Sequence, residues 1–270
     1  MNWRIIASRD LQQARRSTGL WLLGTLSVVL FVGYAVVHGY LGESTFGAFV
    51  DGLAGVAGLS LPMLGLLLGY KSIVHERQSG SLFLTLSAPQ SRKDVVVGTL
   101  VGRVVVFLVP TLASLALAGL VGAVRYGTEG VAWYPLFLVV TALYGVAFVA
   151  LAVGLSMSTT ADRRITLGAL GSYVLLVPFW GSVHSATLLV LHRFEFAVLA
   201  DMPDWALLVR LLAPTEAYYR ALHAGFDLDR AVRYVDGPVY VGWWMGLVAL
   251  LAWSVVPVAL GYRRFETDDL

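Results

Sequence analysis

Six apolar runs separated by short polar connections dominate the chain, at residues 19–40, 46–70, 95–124, 135–157, 165–191 and 239–261. Each is long enough, at about 1.5 Å per residue, to cross roughly 30 Å of hydrocarbon as a helix. The third is longer than a crossing requires and is expected to tilt or to project beyond the membrane. The first follows Arg15 and Arg16 as a signal peptide would, but it is too long for an h-region and no small-residue cleavage site follows it. The pattern predicts an all-α integral membrane protein, with residues 1–270 forming one transmembrane domain.

Composition supports lipid as the solvent. Of the 270 residues 58% are hydrophobic and 13% charged, against roughly 45–50% and about 25% in soluble domains. A formal charge of +2 argues against nucleic acid as a partner. There is no Cys, which removes disulfides, thiolate metal sites and thiol nucleophiles.

The placement of charge sets the expected orientation. Arg4, Arg9, Arg15, Arg16, Lys71, Arg77, Arg92, Lys93, Arg163, Arg164, Arg263 and Arg264 all fall on one side of the six spans, whereas the short opposite connections hold only Arg125. Both termini are therefore expected in the cytoplasm, with the chain in the plasma membrane. The long connection 192–238 carries five Arg against seven acids and contributes little to that count.

Three segments outside the spans carry information. Within 1–18, Trp3, Ile6, Ala7, Leu11 and Ala14 share one helical face, which fits an elbow helix lying in the inner headgroup region. Within 192–238, a helix from Asp204 ends before Pro214 and a second runs from Thr215 to His223; both are too short to span and read as interfacial or partly re-entrant. Segment 71–94 reads as a helix ending at Gly80, a short helix from Ser81 to Ser87 stopped by Pro89, and a capping box at Ser91 and Asp94 opening the third span. An apolar face of Leu82, Phe83 and Leu86 on so short a helix suits a cleft on a partner, with Glu76, Arg77 and Arg92 supplying orienting ion pairs. The alternative is an amphipathic helix lying on the lipid surface.

The run Glu76-Arg77-Gln78-Ser79-Gly80-Ser81-Leu82, followed by Ser87-Ala88-Pro89-Gln90-Ser91-Arg92 and Gly98, resembles the segment between spans two and three of type-2, export-class permeases of ATP-binding cassette (ABC) transporters. The likeness extends to the layout of elbow, six spans and long outer loop before the last span. Leu211 to Tyr218 is similar to a region of the subgroup that includes the permease for nitrous-oxide-reductase maturation, with Ala213 where Asn is usual and Thr99 where a Lys is usual. The resemblance implies that 71–94 carries a coupling helix seated in a groove of a separate ATPase subunit. It implies coupling roles for Glu76, Arg77, Gly80, Leu82, Phe83 and Leu86, with Asp162, Arg163 and Arg164 as a second, smaller contact. ATP and Mg would belong to that partner, and the permease would pair with a second copy or a similar chain.

Other chemistries fail on spacing. His75-Glu76-Arg77-Gln78-Ser79 opens like a zinc-protease helix but places Ser79 at the second ligand position. Gly69-Tyr70-Lys71-Ser72 lacks the spacing of a phosphate-cradling loop. No acid sits near the middle of a span, since Asp51 lies close to an end, so ion-driven carriage has no obvious buried group. Arg103 is the one charge carried inside a span, placed there either for function or to snorkel. Gly65 with Gly69, and Gly98 with Gly102, permit close helix contact within the chain or between copies. The function expected is that of a membrane subunit powered by a partner; the competing expectation is a scaffold or assembly factor that binds the same partner without moving a substrate.

Overall fold

The computed structural model describes residues 3–15, 17–40, 45–70, 72, 91–159 and 161–267. Six helices in it are long and apolar enough to cross a membrane. A shorter helix, α1 (Trp3–Arg15), precedes them. The spans are α2 (Thr18–Val37), α3 (Phe46–Gly69), α4 (Arg92–Tyr126), α5 (Tyr134–Ser158), a fifth made of α6 (Asp162–Val174) and α7 (Trp180–Leu191), and a last, α10 (Trp243–Thr267). Between the fifth and last spans lie two short helices, α8 (Asp204–Leu211) and α9 (Pro214–Leu222). The described residues contain no strand.

Local sequence accounts for the boundaries. Ser17 caps α2 and Thr45 caps α3 through their side-chain oxygens. At α4, Ser91 Oγ accepts from the Asp94 amide at 3.1 Å while Asp94 accepts from the Ser91 amide at 3.3 Å, the reciprocal capping box read from the sequence. The last span starts at Trp243 rather than Val239, because Val239–Val241 form a 3-10 turn after Pro238. The α6–α7 junction, Leu175–Phe179, is one π-helical turn containing Pro178. Proline has no amide to give the helix ladder, and a local π-turn absorbs the defect.

The helix α5 is the axis of the bundle. Two thirds of its apolar window, 67%, is buried, against 17% for the fifth span and 22% for both the first and the last. It packs on α3, α4, α9 and α10. Glycines set the closest approaches: a Cβ on Gly65 would meet the Val149 amide at 3.3 Å, and one on Gly69 the Ala152 Cβ at 2.6 Å. A Cβ on Gly98 would meet Ile6 at 2.7 Å, and one on Gly102 the Asp10 carboxylate at 2.6 Å. Both small-residue pairs are thus occupied within the chain, the first by α5 and the second by α1, and neither is available for contact between copies. The start of α4 meets both α1 and the last turn of α10, so these share one end of the bundle, here called the terminus end; the opposite, hairpin end carries α8 and α9.

Candidate functional site

At the terminus end the described residues frame, but do not contain, most of the expected partner-binding surface. Glu76, Arg77, Gly80, Leu82, Phe83 and Leu86 lie outside the described residues. The helices that lead into and out of that segment are described. On the α3 side, Ser72 Oγ donates to the Gly69 carbonyl at 2.7 Å. A cavity of about 250 Å³ between α3 and α6 is lined by Leu66, Leu67, Tyr70, Thr166 and Ala169, so the last turn of α3 lies beside the first turns of α6. Asp162, Arg163 and Arg164 occupy that first turn and are exposed, while the next residue, Ile165, is 1% exposed and anchors the turn. Asp162 also suits the positive end of the helix dipole.

Arg92 reaches the end of the last span. Its guanidinium donates to the Phe265 carbonyl at 2.7 Å and the Glu266 carbonyl at 3.1 Å, and it lies over the Phe265 ring at 5.6 Å. The start of α4 therefore closes the last turn of α10, where carbonyls lack helical partners.

Arg103 is explained by α1. Its Nε lies 3.3 Å from Asp10 Oδ2, with both side chains largely covered. The pair is in ion-pair range but is not aligned as a hydrogen bond, and both atoms are buried without one. Burial pushes the Asp10 carboxyl above the ordinary carboxylate range, and the Arg103 and Arg9 guanidinium groups offset this only in part. Sequence could not pair two residues so far apart.

The second polar region was missed. Tyr144, ten residues into α5, is roughly 15 Å from its start, about half the hydrocarbon thickness. Its hydroxyl donates to the Gly58 carbonyl at 2.8 Å and lies 3.0 Å from Thr215 Oγ1. Thr215 Oγ1 in turn donates to the Leu176 carbonyl in the π-turn at 3.0 Å. Tyr218 stacks on Tyr144 with ring centres 4.3 Å apart and shares a 3.0 Å hydrogen bond with Thr141. These contacts seat the start of α9 inside the bundle, level with the middle of α5. Irregular backbone at that depth is tolerated because protein surrounds it.

The hairpin also brings charge inside. Arg210 Nε lies 2.8 Å from Glu216 Oε1, and Tyr234 donates its hydroxyl to Glu216 Oε2 at 2.9 Å. Arg220 donates to the Val241 carbonyl at 2.9 Å, and Arg230 binds Asp51 at 2.8 Å while lying over the Tyr219 ring at 5.5 Å. Glu216 is thus a half-buried acid that lies outside the spans. Its two oxygens are held by Arg210 and Tyr234, which makes it a structural brace between α8, α9 and the segment around Tyr234. Mid-span Tyr144 was the available signal, because a buried phenol needs a partner. No group of three or more His, Cys, Asp or Glu suited to a metal occurs among the described residues.

Comparison with known proteins adds what geometry alone does not. Residues 4–270 match the family model described as ABC-2 family transporter protein. A protein of Stutzerimonas stutzeri named "Probable ABC transporter permease protein NosY" is 31% identical over 97% of this chain and 96% of its own length. A protein of the same name from Pseudomonas aeruginosa is 29% identical over 97% of this chain and 96% of its own.

Proposed function

The chain belongs to the ABC-2 family of transporter proteins as a multi-pass permease, and on that premise we propose that it forms the membrane path as a dimer driven by a separate cytoplasmic ATPase. Glu76, Arg77, Gly80, Leu82, Phe83 and Leu86 supply the main docking surface, and Asp162, Arg163 and Arg164 a second, smaller one. Both termini and the terminus end face the cytoplasm in the plasma membrane. ATP and Mg are bound by the partner.

The observation that carries this reading is the juxtaposition at the terminus end. The last turn of α3, from which 71–94 departs, lies against α6, whose first turn presents three exposed charges on a buried anchor. A rigid body pressing there would act on α3 and the fifth span together. Since α3 is packed glycine-to-backbone on α5, the displacement would reach the axis of the bundle, the kind of lever that nucleotide-driven closure requires. The NosY-named relatives, similar over nearly their whole length, support the same role.

The test is reconstitution with the cognate ABC ATPase. Glu76→Ala and Leu82→Ala are expected to lower the ATPase stimulation given by the permease while leaving the ATPase alone unaffected. Stimulation that survives both substitutions would contradict the assignment, and a stable complex in which the permease never alters ATP turnover would favour a scaffold.

A further inference from the structure

We propose that the groove between α5 and α10 is a binding site for one anionic phospholipid of the leaflet at the terminus end. The groove encloses about 700 Å³. Its floor is a close helix crossing: a Cβ on Gly261 would stand 2.5 Å from the Gly154 carbonyl, and one on Gly154 2.4 Å from that of Pro257. The groove runs along this crossing, between flanking walls. Leu155, Val256 and Leu260 form those walls, with Val256 49% and Leu260 56% exposed and hence open to lipid.

The two ends of the groove differ in chemistry. From Ala249 to Arg264 along α10 it runs fifteen residues, roughly 22 Å, which exceeds one leaflet's share of about 30 Å of hydrocarbon. Its deep end is apolar and closed by Trp253, whose indole N–H is spent on the Leu212 carbonyl at 2.8 Å. Its mouth is formed by Arg263, Arg264 and Ser158. Neither guanidinium has a hydrogen-bond or ion-pair partner among the described residues, and the carbonyls closing α10 are already met by Arg92. Two unspent cations over an apolar slot of leaflet length complement a phosphate-bearing headgroup with an acyl chain below it. A free phosphate would leave the slot unfilled, and a neutral lipid would leave the cations unmatched.

Native mass spectrometry of the full chain in mixed micelles with dioleoylphosphatidylglycerol or dioleoylphosphatidylcholine tests this. The anionic lipid is expected to be retained about thirtyfold more strongly, the effect of two basic residues near a surface. In Arg263→Gln/Arg264→Gln that preference is expected to vanish, and Ala252→Trp, which fills the slot, is expected to lower retention of both lipids. Equal retention by the unaltered chain, or a preference that survives the double substitution, overturns the proposal. So does a disulfide between copies through Ala252→Cys, which is unambiguous because the chain has no other Cys, since a second copy would then cover the groove. The readout uses neither nucleotide nor transport, so its failure leaves the coupling assignment standing.

Discussion

At the hairpin end Arg210, Glu216 and Tyr234 form a largely covered and mutually paired network, whereas at the terminus end Asp162, Arg163 and Arg164 stand exposed in the first turn of α6. Charge is therefore used in two ways by one bundle. In the first it holds α8, α9 and the segment around Tyr234 together inside the protein. In the second it is presented outward, beside the helix from which the segment 71–94 departs. A permease worked from one end has reason to be braced at the other, so that displacement of the helix ends is not dissipated as local unfolding of the hairpin.

Breaking the brace is expected to have the largest effect. Glu216→Ala leaves Arg210 buried without its carboxylate and Tyr234 without its acceptor, and is expected to cost about 3–5 kcal/mol, the loss typical of a halved buried pair. Thermal unfolding in detergent measures it. Replacing both partners, as Arg210→Met/Glu216→Leu, is expected to recover most of the loss, since no uncompensated charge remains. A double variant as unstable as the single would deny that the pair is the brace.

Contacts within the bundle come next. Gly102→Leu places a side chain where Asp10 now lies, and overpacking of this kind is expected to cost about 1–3 kcal/mol and to release α1 from α4. Protease cleavage near residue 15 reports that release. Tyr144→Phe removes the hydroxyl shared by Gly58 and Thr215, and is expected to cost about 0.6–1.7 kcal/mol, the range for hydrogen bonds between membrane helices.

The smallest effects are expected at the terminus end. Because burial raises the Asp10 pKa, the folded chain holds that proton more tightly than the unfolded one between the two pKa values. The contribution of this group is thus most favourable at low pH and declines as pH rises through the raised value. Asp10→Asn is expected to flatten that slope in a pH series of unfolding midpoints, with a change within about 1 kcal/mol at pH 7 because Arg103 loses a partly covered partner. Arg163→Ala/Arg164→Ala is expected to move stability by no more than about 0.5 kcal/mol, yet to reduce coupled ATPase activity.

The same contrast explains what the sequence disclosed. The spans were legible because lipid demands about twenty apolar residues per crossing, and Ser91 and Asp94 announced the start of α4 through local hydrogen bonds. Asp204 and Pro214 likewise bounded the two short helices. Their depth was not legible, since it is fixed by Thr215 reaching Leu176 and Tyr218 reaching Thr141, contacts across tens of residues. For the same reason Arg210 and Glu216 read as loop charges, and Arg103 read as isolated until α1 brought Asp10 to it. Nor was the π-turn around Pro178 read from the sequence, which showed 165–191 as one apolar run. In 71–94 the short helix and its apolar face were read from the residues and the coupling role from the resemblance, and the six residues expected to carry it lie outside the described residues.

The account turns on whether energy enters at the terminus end. The most direct measurement is ATP hydrolysis by the cognate ATPase reconstituted with the permease in lipid, comparing the unaltered chain, Leu82→Ala and Arg163→Ala/Arg164→Ala. Loss of permease-dependent stimulation in Leu82→Ala, with a partial loss in the double variant and unfolding midpoints unchanged in both, is the predicted result. Undiminished stimulation in both variants, with the complex intact, would contradict it.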